Sequence, residues 1–202
     1  AGVVAEVSPS AGLVGTVTTT IPVGAGLSSS ASLETAVALA LGVDGDAPAI
    51  AELCRRAEIR ASGVPCGIMD QLAVVAGVDG HALLIDCHSL DVRPVRVPDD
   101  LDVVVWFVAH RTLAGSAYAD RVAECAAAER EIGPLRLATP ADAAAIADDV
   151  VRARATHVVA ENERVRAFAA ALVTDDRREL GRLMLEGHRS LSDRKSTRLN
   201  SS

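Results

Sequence analysis

Gly24, Ala25, Gly26, Leu27, Ser28, Ser29 and Ser30 follow one another between a β-prone run (Leu13 to Ile21) and an Ala/Leu/Val-rich run (Ala31 to Leu41). The order reads as strand, glycine loop, helix. Gly24 and Gly26 admit backbone angles that a Cβ resists, and they let a ligand approach the chain. Serine favours the start of a helix because its oxygen accepts one of the first unpaired amide protons. The remaining amides and the helix dipole make such a start a seat for phosphate, and the serine hydroxyls can reach a phosphate or a divalent ion. A glycine loop needed only for its geometry is the ordinary alternative. Two common phosphate loops are excluded. The P-loop requires a lysine, and none precedes Lys195; the dinucleotide fingerprint requires a third glycine where Ser29 stands.

Two carboxylates stand out downstream. Asp46 and Pro48 mark a helix start, and Ile50, Leu53, Cys54 and Ala57 form its apolar stripe. Glu58 falls four residues after Cys54, on the same side. A carboxylate turned inward needs a partner, and Arg55 or Arg60 is the ordinary candidate. Asp70 follows the breakers Gly63, Pro65 and Gly67 and lies in the first turn of another helix. There an acid complements the helix dipole.

The elements that must position these groups are legible in outline. Ala1 to Val7 is short and apolar, and Ser8-Pro9-Ser10-Ala11-Gly12 reads as a turn. Val14, Val17 and Thr19 support a strand into Pro22. The helix from Ser30 to Leu41 is apolar nearly all round, which predicts burial, and Gly42 suits its end. Residues 81–87, 92–97 and 103–108 read as strands. Helical spacing recurs over 116–132, 140–148, 150–172 and 176–191.

The string Gly24 to Glu34 (GAGLSSSASLE) resembles the phosphate motif of the GHMP kinases, and within them the galactokinase family. Gly63-Val64-Pro65-Cys66-Gly67-Ile68-Met69-Asp70-Gln71, the strand Gly80 to Leu90 and the stretch Arg111 to Tyr118 extend the resemblance over nearly the whole chain. It implies an α+β GHMP kinase fold. An N-terminal part like ribosomal protein S5 domain 2 would span residues 1–98, and the helical start of a ferredoxin-like C-terminal domain 99–193. It also implies that Gly24 to Ser30 bind ATP, that Ser30 and Glu58 hold Mg²⁺, that Asp70 takes the proton from a sugar hydroxyl, and that Asp70 and Tyr118 contact galactose. A tyrosine at a helix start is otherwise a packing residue. Trp106-Phe107 departs from the family, where a polar pair with Ser or Thr is usual. The resemblance places a further N-terminal sugar-binding motif and a C-terminal glycine-rich motif outside this sequence, so the chain is expected to be a truncated piece with little activity alone. Another GHMP kinase, for a different sugar or for mevalonate, and a non-catalytic galactose sensor are the competing readings.

Composition narrows the field. The 202 residues are 50% hydrophobic but only 2% aromatic, so aliphatic side chains must build the core. A net charge of −7 argues against nucleic acid as a partner. No apolar run approaches a membrane span, and the four cysteines form no C-x-x-C pair. A cytoplasmic monomer is expected. Lys195 is the only lysine among 20 basic residues. It lies in a polar stretch unlike the body, so residues 194–202 are expected to be a non-native tail; an uninterrupted source reading frame through Lys195 would refute this.

Overall fold

The computed structural model describes residues 1–10, 12–107 and 118–196. They form two compact units, residues 1–94 with 102–107 and residues 95–101 with 118–196.

The first unit is a helical cluster backed by a hairpin. Its helices are α1 (Gly2–Val7), α2 (Ser29–Ala40), α3 (Ala47–Ser62) and α4 (Met69–Val75). Strands β1 (His81–Asp86) and β2 (Asp91–Arg96) pair with each other; the last two residues of β2 are counted with the second unit. α3 is central, packing against α1, α2 and α4. It starts where Asp46 accepts the Ala49 amide at 2.9 Å, a cap that contributes about 1 kcal/mol. It ends at Gly63, which takes the left-handed conformation. Val3, Ala38, Ile50, Cys54 and Ala57 fill one core, and Ala51, Ile68 and Leu72 fill a second beneath the hairpin. α1 lies so close to α3 that a Cβ at Gly2 would stand 2.1 Å from the Ala57 carbonyl oxygen.

Three expectations fail here. Residues 12–20 and 103–107 form no strand and are exposed throughout. Their β-branched residues favour an extended chain, but a strand is stabilised by ladder bonds, and neither run has a ladder partner among the described residues. Nor is α2 buried all round. Only Ala31, Thr35 and Ala38, one stripe, are buried, while Leu33 and Leu39 are exposed. An apolar composition did not reveal that only one face has neighbours.

The second unit contains α5 (Tyr118–Ile132), α6 (Pro140–Ala145), α7 (Asp149–Val173) and α8 (Arg177–Ser196). Thr139 and Asp142 form a reciprocal capping box at α6, and Asp148 caps α7. Ala128, Leu135, Ala143, Ile146, Ala155 and Val159 make its core. His157 Nδ1 lies 2.9 Å from Ser190 Oγ and ties α7 to α8.

Candidate active site

The loop before α2 has three left-handed residues at alternate positions. Gly24, Gly26 and Ser28 have φ of 77°, 76° and 53°. Such alternation turns successive amides toward one side and makes an anion-binding concavity. A Cβ at Gly26 would meet nothing within 4 Å, so glycine is required there by its angle and the space above it is open. Ser28 is the N-cap of α2, but it makes no side-chain capping bond, contrary to the serine expectation. Its left-handed backbone does not present the oxygen to the N2 and N3 amides as the usual extended cap does. The first amides of α2 therefore lack both an intrahelical acceptor and a serine cap.

Ser30 Oγ donates to Glu58 Oε1 at 2.9 Å, joining the first turn of α2 to α3. Neither arginine pairs with Glu58: Arg55 binds Glu52, and Arg60 binds Glu6. Instead, Gln71 Nε2 donates to Glu58 Oε2 at 2.6 Å, and Cys66 Sγ stands 3.6 Å from the same oxygen. Asp70, exposed in the first turn of α4, immediately precedes Gln71. Gly24 to Ser30, Glu58 and the helix of Asp70 are thus linked through one carboxylate. Tyr118 is the first residue of α5, in the second unit. The stretch 111–117 lies outside the described residues.

Three residues of this cluster, Glu34, Cys66 and Gln71, had no assigned role in the sequence. Glu34 lies four positions after Ser30, hence on the same face of α2, and that spacing was the available signal. Its Oε2 is buried without a hydrogen-bond partner, as is Oε1 of Gln71. Burial pushes the Glu34 carboxyl up to about 7; the charge of Glu58 adds to this and the Gln71 amide opposes it. Burial and then Glu58 push the Cys66 thiol up to about 11.

A divalent cation fits this chemistry. Among the described residues no Lys, Arg or His forms an ion pair with Glu34 or Glu58, so two neighbouring carboxyls lack a positive counterpart. Ser30 and Glu58 supply hard oxygens 2.9 Å apart.

Residues 2–78 match the family described as GHMP kinases N terminal domain. The chain is 41% identical to galactokinase of Homo sapiens, over 92% of this chain and 50% of that protein. It is 45% identical to galactokinase of Roseiflexus sp. (strain RS-1), over 88% of this chain and 49% of that one. A solved structure of Lactococcus lactis galactokinase complexed with galactose superposes with a TM-score of 0.73 at 29% identity, covering 86% of this chain and 49% of that chain. The chain is a galactokinase homologue that spans about half the length of the curated relatives it matches.

Proposed function

We propose that this chain carries the phosphate- and cation-binding half of an ATP-dependent kinase that converts α-D-galactose to galactose 1-phosphate. The observation that carries the reading is the Ser30–Glu58 oxygen pair. It stands at the end of a glycine loop, without a counter-cation, one hydrogen bond from the residue next to Asp70.

The loop amides from Gly24 to Ser30 bind and orient the ATP phosphates. Ser30 and Glu58 hold the cation, and Glu34 adds negative potential beside them. A bound Mg²⁺ supplies charge neutralisation to the phosphate oxygens. Asp70, exposed at the start of α4, accepts the proton of the anomeric hydroxyl as that oxygen bonds to the γ-phosphorus and ADP leaves. Phosphoryl transfer has a loose transition state, so fixing the reactants in line and balancing charge contribute more than proton removal.

The test is ADP release with ATP, Mg²⁺ and a panel of sugars, using the product of the whole reading frame that contains this chain. Galactose is the expected preferred acceptor. Asp70→Ala is expected to lower turnover by at least about 100-fold while nucleotide still binds. Turnover surviving in Asp70→Ala would remove the base assignment, and indifference to galactose would remove the substrate.

A further inference from the structure

We propose that Gln71 is a positioning residue that makes Glu58 a one-oxygen ligand and so biases the cation site toward Mg²⁺ over Ca²⁺. This rests on the cation reading given above. The two oxygens of Glu58 are divided between different partners. Oε2 receives the Gln71 amide at 2.6 Å and faces the Cys66 thiol at 3.6 Å. Oε1 faces Ser30 alone among these donors, at 2.9 Å. A cation that takes Ser30 and Oε1 finds the second oxygen already engaged.

That restriction discriminates between ions. Mg²⁺ takes six oxygens at ~2.0–2.1 Å and is satisfied by one oxygen from each carboxylate, whereas Ca²⁺ takes about 6–8 at ~2.3–2.6 Å and readily uses both. Gln71 cannot reverse its amide, because Oε1 would then confront Oε2 of Glu58 with no proton between them. Packing does not explain the residue either. Gln71 is fully buried, and its Oε1 has no hydrogen-bond partner. An apolar side chain of the same shape would avoid that unsatisfied acceptor. What glutamine adds at this position is an amide donor, which Glu58 takes at 2.6 Å and which also opposes the upward shift of the Glu34 carboxyl.

The experiment is calorimetric titration of the non-hydrolysable nucleotide AMP-PNP into the purified protein in Mg²⁺, in Ca²⁺ and in EDTA. In the unaltered protein Mg²⁺ should tighten binding more than Ca²⁺ does. In Gln71→Met the Mg²⁺ gain should fall about tenfold, as for other outer-shell groups of metal sites. The Ca²⁺ gain should fall less, and affinity in EDTA should not change. Cys66→Ala, which removes the weaker donor, should shift the same ratio in the same direction by about two- to threefold. A folded Gln71→Met protein with an unchanged Mg²⁺ to Ca²⁺ ratio overturns the inference. Should Gln71→Met lose its cooperative melt, an unchanged ratio in Cys66→Ala overturns it instead. Glu58→Gln separates the two levels. If it abolishes the Mg²⁺ gain while Gln71→Met leaves the gain intact, only the role of Gln71 fails. If Glu58→Gln keeps the gain, the cation site itself fails, and the role of Gln71 with it.

Discussion

Glu58 in the first unit and Glu124 in the second are both sheltered helical glutamates, and they keep opposite company. Glu124, on α5, takes Arg121 at 2.9 Å and Arg154 at 2.8 Å. Burial would raise its carboxyl, but the hydrogen bonds from Arg154 and Arg121 together outweigh burial and hold it below the usual range. Glu58 has a hydroxyl, an amide and a thiol around it, and a second carboxyl, Glu34, nearby. The first arrangement is closed: its charge is cancelled by groups of the chain itself. The second is open: its hydrogen bonds are made but its charge is not met. Sheltered charge therefore marks a site only when the chain fails to neutralise it, which residue type and burial alone do not reveal.

The sharpest way to break this contrast is at the closed end. Arg154→Met strips one partner from Glu124 where both side chains are about nine-tenths buried. A loss of about 3 kcal/mol is expected at pH 7, because a buried charge is left under-compensated. Urea unfolding measures it, and a loss below about 1 kcal/mol would mean that Glu124 is no more closed than Glu58.

The next effect lies at the open end and depends on pH. The folded-state pKa of Glu34 is raised to about 7 from 4.5. Between these values the folded protein keeps a proton that the unfolded chain has lost, so stability falls as pH rises through that window. Glu34→Gln removes the titration and gives the unpartnered Gln71 oxygen a possible amide donor. In EDTA it should stabilise the protein at pH 8 by roughly 1–2 kcal/mol, a figure halved for solvent access to this partly exposed side chain. The gain should vanish below about pH 5. Thermal melts of both proteins across pH check it; a gain independent of pH would assign the effect to packing.

The smallest effect should be Glu58→Gln in EDTA. The carboxamide oxygen can still accept from Gln71, its nitrogen can donate to Ser30, and repulsion with Glu34 is relieved. A change within about 0.5 kcal/mol is expected, from the same unfolding measurement, against a complete loss of the Mg²⁺-dependent gain in nucleotide affinity. A large destabilisation would make Glu58 a structural residue like Glu124.

What the sequence disclosed follows the range of the forces involved. The glycine loop, the Asp46 cap, the hairpin strands and the helices of the second unit are set by neighbours within a few positions, and spacing sufficed to find them. The nearness of Ser30 to Glu58, 28 positions apart, came from family resemblance, since helical spacing favoured Arg55 or Arg60 equally well. Arg55 was taken by Glu52 one turn away on α3 itself, and Arg60 by Glu6 through the packing of α1 against α3. Gln71 stayed silent because an amide beside a motif acid looks like any polar helix residue until its burial is known. The runs 12–20 and 103–107 misled for the opposite reason: local preference was plain, but pairing is decided elsewhere in the chain.

The close seat of α1 on α3 makes the glycine at position 2 part of the chemistry at one remove. A methyl there would overlap the carbonyl of Ala57, and the next residue along the helix is Glu58. One added carbon would press on the backbone of α3 one residue before the carboxylate proposed to hold the cation. A Gly2→Ala change would therefore cost helix packing first, and any effect on the corner around Glu58 would follow from that displacement.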